Sequence, residues 1–366
     1  MQQDDGRPGS AIVSDVEGGS SSRCSDPCHL PSTAVSPGSL VTVQPTSSNQ
    51  FTAAISGTLP VLETVNDSLS VVALPLPPGN VPYTLSYLLA DGRGGVHVID
   101  PGPAWGENWV ILEAALDARG KAVTDVASIV VTHLHPDHLG LAGRLRQVSG
   151  APVVMHRSDA ETLSTPGDPV RMRVTELPNW GVPADRRAEL SALTSGPATV
   201  TEFLVDETVE GGELLDIPGR SLRVIHTPGH TSGHICLREE EQRLIFTGDH
   251  VLPTVNPGIG LGGPTSENPI RDYLSSLDAV AAFDDHEVLP GHGYRFTGLA
   301  GRCAALADHH RRRTGEVAGV LERQPDATVW QIAEQLTWSS GWRQLSEFSL
   351  LSALSQTALH RELVQS

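Results

Sequence analysis

From residue 132 to 138 the chain reads Thr132-His133-Leu134-His135-Pro136-Asp137-His138, three imidazoles and a carboxylate within six residues. The stretch follows Ala127-Ser128-Ile129-Val130-Val131, an apolar run that predicts a short buried strand. Pro136 has no N–H to give to a ladder, so the strand has to stop there. Candidate metal ligands are thereby gathered at the C-terminal end of a strand, where α/β sheets usually carry their chemistry. Imidazole nitrogen with carboxylate oxygen suits zinc or a similar first-row divalent ion. A solvated polar loop accounts for one such histidine but poorly for His-x-His-x-Asp-His.

Three further stretches place the same residue types just past an apolar run. His230 follows Pro228-Gly229, Asp249 follows Thr247-Gly248, and His292 follows Pro290-Gly291. Glycine beside a ligand lets the backbone turn sharply and come close to an ion. Together with the opening stretch they supply His133, His135, Asp137, His138, His230, Asp249 and His292. That is too many donors for one tetrahedral zinc, and suits two ions about 3.5–4 Å apart with one carboxylate bridging. A water between two dications loses its proton near neutral pH and becomes a nucleophile.

The surrounding pattern alternates. Ser70-Val71-Val72-Ala73-Leu74 and Thr84-Leu85-Ser86-Tyr87-Leu88-Leu89 read as strands, and Gly92-Arg93-Gly94-Gly95 turns the second into Val96-His97-Val98-Ile99-Asp100. Trp109-Val110-Ile111-Leu112-Glu113-Ala114-Ala115-Leu116 has helical spacing, and a further helix starts at Leu139-Gly140-Leu141. Hairpins followed by alternating strands and helices predict an α/β protein with two sheets and helices outside. Residues 158–212 interrupt the rhythm with Met172, Trp180, Pro183 and the charged helix Asp185-Arg186-Arg187-Ala188-Glu189-Leu190. They read as a helical insertion, either a roof over a pocket or an inert excursion. Cys303–Arg323, Val329–Leu336 and Phe348–Val364 have helical spacing, with a turn over Trp338–Trp342, and residues 300–366 read as a small C-terminal helical domain.

Residues 1–50 are rich in Ser, Gly, Asp, Pro and Gln, too polar to offset their ordering entropy. They are expected to be a disordered tail before a catalytic domain over 51–299, with folded sequence beginning near Leu59. The 366 residues include 25 Lys plus Arg against 43 Asp plus Glu, a net charge of −18. So acidic a surface repels polyphosphate, which disfavours nucleic acid as a partner. Cys24 and Cys28, beside His29, have C-x3-C spacing without a second ligand pair and read as incidental thiols. There is no apolar run of about 18 residues to span a membrane. The first 30 residues lack the apolar segment and basic start of a secretory signal, so the expected location is the cytoplasm. Oligomeric state is left open, a homodimer included.

In this order, T-H-x-H-x-D-H, P-G-H-T-x-G-H, T-G-D and P-G-H-G are similar to the motifs of the metallo-β-lactamase fold superfamily, in its glyoxalase II-like branch. The resemblance covers residues 60–298 and implies a four-layer αββα sandwich with the metals at one edge. Carried over by position, it implies that His133, His135 and His230 hold one ion, and that Asp137, His138 and His292 hold the other. Asp249 is then the bridge, and Asp137 also steadies the nucleophile by a hydrogen bond. The implied cofactors are two divalent ions, zinc first, with iron or manganese compatible with the same donors. Asp100 matches a position that supports the metal site from behind, while a plain turn former before Pro101-Gly102 is the competing reading.

Such a fold does not fix the substrate. The bridging Asp249 resembles glyoxalase II more than the antibiotic-degrading lactamases, and His135 stands where a flavo-diiron enzyme would carry Glu. The leading expectation is a dinuclear hydrolase in which a metal-bridging hydroxide cleaves a thioester, ester or lactone, with Asp137 and Asp249 as catalytic carboxylates. Its partner is then a small-molecule or acyl-thioester substrate. The alternative is a single-strand-specific endoribonuclease. It rests on Asn268-Pro269-Ile270-Arg271-Asp272-Tyr273-Leu274-Ser275-Ser276-Leu277 and the C-terminal helices, which resemble the lactamase-like endoribonuclease branch. Net charge and the lack of an RNA-binding arm weigh against it. A degenerate scaffold predicts lost ligands, and none is lost. Among other polar residues, His226 and His234 read as packing or supporting groups and His250 as pocket-lining or structural. Arg271, Tyr273 and Tyr294 are candidates for substrate contact, and His309, His310, Arg311, Arg312 and Arg313 read as a solvated helix face.

Overall fold

A computed structural model describes residues 43–77, 79, 81–165, 169–193, 205–263, 265, 267–339 and 341–366. All of them belong to one compact unit, Pro37–Ser366. Cys24, Cys28, His29 and the rest of the expected tail up to residue 42 lie outside the described residues. Among the described residues no helix is long and apolar enough to cross a membrane.

The chain opens with β1 (Gln44–Pro45), α1 (Ser48–Ser56), β2 (Glu63–Asn66), β3 (Leu69–Pro75), β4 (Tyr83–Ala90) and β5 (Val96–Ile99). After α2 (Asn108–Asp117) come β6 (Val126–Val130), α3 (Pro136–Leu139), α4 (Ala142–Ser149) and β7 (Val153–His156). Helices α5 (Arg157–Ser164), α6 (Pro169–Glu176) and α7 (Ala184–Ala192) then lead to β8 (Glu207–Val209). Next are β9 (Leu222–His226), β10 (Ile235–Glu239), β11 (Leu244–Gly248), α8 (Pro269–Ala281), β12 (Glu287–Pro290) and β13 (Phe296–Thr297). The C-terminal helices are α9 (Leu299–Arg323), α10 (Val329–Ala333) and α11 (Glu347–Gln365).

These strands form a seven-stranded sheet in the order β2-β3-β4-β5-β6-β7-β8 and a six-stranded sheet in the order β1-β13-β12-β11-β10-β9. Period-two alternation decides which side chains meet between them. Val71, Ala73, Leu85, Tyr87 and Leu89 of the first sheet pack against Ile235, Leu237, Leu244, Phe246 and Leu289 of the second. The intervening residues Val72, Leu74 and Leu88 turn outward onto Leu112 and Leu116 of α2 and Leu145 of α4. On the other side, Cys236, Ile245 and Val288 turn outward onto Tyr273 and Leu277 of α8 and Leu306 of α9. Strands buried on both faces need near-continuous apolar runs, which is how they read in the sequence. The result is a four-layer αββα sandwich with a helical C-terminal extension.

Three expectations need correction. Folded chain starts before Leu59, inside the stretch expected to be tail: Gln44–Pro45 pairs with Phe296–Thr297, and Ser47 caps α1. Hydrogen bonds anchor this segment where apolar area is lacking, since buried Gln50 accepts from the Arg295 N–H at 3.0 Å and donates to Glu63 at 3.2 Å. Second, the 158–212 insertion is not purely helical. Its last part, β8, pairs in parallel with β7 and extends the sheet. Third, His310 is buried, 1% exposed, while its neighbours Arg311 and Arg312 are not buried with it. The face of α9 that carries His310 meets Tyr273 of α8 and His360 of α11.

The insertion and the C-terminal helices share an apolar cluster in which Leu177, Val182 and Leu190 meet Val329, Leu350, Leu351 and Leu354. Two polar ties connect this layer to the loops below: Arg173 donates to the Gly260 carbonyl, and Asn268 donates to the Leu359 carbonyl at 3.1 Å.

Candidate metal centre

Every predicted ligand leaves a strand end on one edge of the sandwich. His133 and His135 lie just beyond β6, and Pro136 opens α3 at its first turn, a position proline pre-organises. That short helix carries Asp137 and His138. His230 lies on the turn after β9, while Asp249 and His292 follow β11 and β12, which are parallel neighbours. Hydrogen bonds sew the two sheets together here: Ile235 N–H to Thr132 O at 2.9 Å and Leu85 N–H to Gly291 O at 2.7 Å. Tyr87 O–H also reaches Pro290 O at 2.7 Å. Gly291 has to lack a side chain, because a Cβ there would stand 2.6 Å from His138 Cε1 and 2.7 Å from Asp249 Oδ1.

All seven candidates converge. His133 Nε2 and His230 Nε2 each lie 3.0 Å from His135 Nδ1. His138 Nε2 and His292 Nε2 are 3.4 Å apart, and Asp137 Oδ2 is 3.3 Å from His292 Nε2. Asp249 faces both groups. Its Oδ1 lies 3.4 Å from His138 Nε2 and 3.3 Å from His292 Nε2, and its Oδ2 lies 3.7 Å from His230 Nε2. Three sets of donors, His133-His135-His230, His133-His138-Asp249 and Asp137-His138-His292, each have their ligand atoms within 4.8 Å of one another. Most of the site is buried; His135 and Asp137, both half-buried, form its more accessible side.

The outer nitrogen of each imidazole decides what the inner one offers. His138 Nδ1 donates to Asp100 Oδ2 at 2.8 Å, His230 Nδ1 to Gly258 O at 2.6 Å, and His292 Nδ1 to Tyr83 O at 2.7 Å. Thr132 Oγ1 spends its hydrogen on Asp100 Oδ2 at 2.7 Å and so accepts from His133 Nδ1 at 3.1 Å. His135 Nε2 faces Leu261 O at 3.4 Å. Each neutral ring therefore aims a lone pair inward. Lone pairs that meet across 3.0 Å repel, and a cation at their focus removes the conflict. Asp249 Oδ1 is buried and faces the Nε2 atoms of both His138 and His292. The donor set fits divalent ions.

Electrostatics divides the site in two. Burial, with the neighbouring imidazoles, pulls His133 well below its ordinary pKa, and burial takes His135 down to about 3. Burial also lowers His230. In the other half burial acts the same way but is outweighed. The Asp249 carboxylate, joined by Asp137, holds His292 up at about 10, and Asp249, Asp100 and Asp137 hold His138 up as well. In return Asp137 and Asp249 stay ionised against the pull of burial, Asp137 chiefly through His138 and Asp249 chiefly through His292. Without ions, protons occupy the carboxylate-rich half, and a cation has to displace them.

Residues around the ligands fall into clear positions. Asp100, in a left-handed conformation with φ of 53°, accepts from Thr132 N–H at 2.7 Å as well as from His138 and the Thr132 hydroxyl. It supports the site from behind, as other metal sites are supported. His234 accepts from Asp249 N–H at 3.2 Å and its Nδ1 faces the Thr227 hydroxyl at 2.8 Å, so it holds the turn of Asp249. His226 stacks on His156 with ring centroids 3.9 Å apart. His250 is buried beside Tyr273, and burial lowers it to about 3. The expected substrate contacts are not brought to the opening. Tyr273 is fully buried and donates to His250 O at 2.8 Å; Tyr294 packs edge-on to Phe51; and Arg271 pairs with Glu267 on the outer surface. Asp159 is buried against both the His133-His135 and the His230 loops, and no motif in the sequence marks it.

An αββα sandwich with converging imidazoles and carboxylates on one edge defines a metallo-hydrolase fold. The metallo-beta-lactamase superfamily model matches residues 79–292, and the chain belongs to that superfamily. It is similar to a probable metallo-hydrolase of Bacillus subtilis (strain 168), 28% identical over 277 residues, covering 73% of this chain and 84% of the relative. It is also similar to the hydroxyacylglutathione hydrolase of Francisella tularensis subsp. novicida, 29% identical over 168 residues, or 44% of this chain and 63% of that one. Among solved structures, a metallo-beta-lactamase family protein from Thermus thermophilus superposes with a TM-score of 0.68 at 27% identity. That match covers 82% of this chain and 94% of the other.

Proposed function

We propose that the chain is a dinuclear metal-dependent hydrolase that cleaves a thioester, ester or lactone. The observation that carries this reading is the orientation of Asp249, whose two oxygens face different histidine groups, so that it lies between the two donor sets as a bridging carboxylate would. His133, His135 and His230 would hold one ion and Asp137, His138 and His292 the other, zinc being the first choice for donors of this kind. When bound, two such ions supply Lewis acidity toward a carbonyl oxygen and make a water acidic near neutral pH.

The chain's own residues do the rest. Asp137 is the carboxylate open to the exposed side, its side chain 28% accessible, and His138 and His292 keep it ionised. It orients the attacking water by accepting its hydrogen. Buried Leu134, between the two ligands of the first loop, keeps bulk water from that flank. The acyl group approaches past His135 and Asp137. The resemblance to a hydroxyacylglutathione hydrolase favours a thioester among the three substrate classes. Under this reading the substrate is a small molecule or an acyl thioester and the enzyme acts in the cytoplasm. The net charge of −18 disfavours nucleic acid.

The test assays purified protein on a generic thioester, an ester, a lactone and single-stranded RNA in parallel, beside His133→Ala, Asp249→Ala and the variant that combines them. Thioester, ester or lactone turnover that both substitutions abolish is expected. RNA cleavage without thioester, ester or lactone turnover, or full activity in the double variant, overturns the proposal.

A further inference from the structure

Helix α5 begins directly after β7, and its third residue, Asp159, is 0% exposed. One carboxylate oxygen, Oδ2, accepts from the Leu134 N–H at 2.8 Å and from the Thr231 hydroxyl at 2.8 Å. The other, Oδ1, accepts from the Gly233 N–H at 2.6 Å, with the Ser232 hydroxyl at 3.5 Å. Leu134 sits between His133 and His135, and Thr231 follows His230. A single side chain therefore joins two loops that arise from different sheets and deliver the three imidazoles of one donor group.

Contact between α5 and the His230 loop is close enough to demand glycine. A Cβ on Gly233 would lie 2.4 Å from the Asp159 backbone nitrogen and 2.8 Å from its Cβ. Among the described residues no Lys or Arg pairs with the buried carboxylate; burial pushes it up to about 6, and hydrogen bonds from Thr231, Gly233, Leu134 and Ser232 pull the other way. Every partner is a donor, and an ionised carboxylate is the side chain that only accepts. An isosteric amide would turn an NH2 toward one of those donors and push a loop away. The second donor group does not depend on this brace, because His138 rests on Asp100 and His292 on the Tyr83 carbonyl.

We propose that Asp159 is a positioning residue that sets the spacing between the His133-His135 pair and His230, and with it the affinity of that triad for its ion. The inference rests on the metal reading of the site given above. Its test is calorimetric titration of chelator-treated protein with Zn2+, with Co2+ absorption spectra and ion-free melting temperature measured alongside. His230→Ala identifies which binding step belongs to the triad. In Asp159→Asn that step weakens about 10- to 100-fold, its Co2+ band shifts, the other step is unchanged, and excess metal restores turnover. Thr231→Val, which removes one donor, gives a smaller loss in the same step and covers the case in which Asp159→Asn fails to fold. Both steps weakened alike, or neither changed, overturns the proposal. Wild-type protein that takes up no metal instead overturns the metal reading, and this inference with it.

Discussion

The Nδ1–H of His138 donates to Oδ2 of Asp100 across 2.8 Å, with both side chains buried. This bond makes Nε2 the nitrogen that faces the site. Asp100→Asn should break it in a specific way. An amide nitrogen there turns the His138 tautomer over and places a hydrogen on Nε2. Weakening of one ion by about 10- to 100-fold is expected, read by titration. Asp100→Ala adds a loss of about 1–3 kcal/mol in thermal or denaturant unfolding, because the Thr132 N–H and hydroxyl lose their acceptor.

Gly291→Ala is a steric test of how closely the second donor group is packed. The added methyl meets His138 Cε1 and Asp249 Oδ1 at 2.6 and 2.7 Å, so the ligands or the β12 turn must shift. Displacements of this order cost about 100-fold in turnover. Circular dichroism should show the fold retained while activity is lost. Unchanged kcat/KM would show that the loop has room to spare.

The protons held on His138 and His292 give a prediction with a definite sign. Both imidazoles are raised in the ion-free protein, His292 from 6.5 to about 10. Their contribution to stability is complete below the unfolded value and is lost as pH rises through the folded one. Ion-free protein should therefore lose melting temperature between pH 6.5 and about 10, within which His292 titrates. Metal uptake should release protons, and apparent affinity should climb over the same window. Titrations in buffers of different ionisation enthalpy count the protons directly; a pH-independent affinity would contradict the charge arrangement.

In the N-terminal segment, Gln50→Ala leaves the buried Arg295 N–H without its acceptor and removes one of the donors to Glu63, which keeps Ser47 and Arg295. A loss of about 1–3 kcal/mol in unfolding free energy is expected, with kcat and KM unaltered. This substitution tests whether the segment before Leu59 is held by those bonds.

What could be read from the sequence was what local pattern encodes. Strands such as Leu69–Pro75 and Tyr83–Ala90 are long apolar runs, and each ligand-bearing stretch follows an apolar run and contains a glycine or a proline. Strands of two or three residues, Gln44–Pro45 and Glu207–Val209, are too short for any period to appear, and only tertiary pairing makes them strands. Asp159 lies in Arg157-Ser158-Asp159, which looks like an exposed helix start, and its burial comes from loops remote in sequence. His310 sits beside an arginine run but is covered by two other helices. Backbone acceptors such as Tyr83 O and Gly258 O, which orient the imidazoles, carry no residue signature at all.

The central claim, two ions joined by Asp249, is tested most directly by counting Zn2+ per chain in wild type, His230→Ala, His292→Ala and Asp249→Ala after chelation and titration. Two ions are expected in wild type, one in each histidine variant, and weaker binding of both in Asp249→Ala. A single ion in wild type, bound equally well by Asp249→Ala, would contradict it.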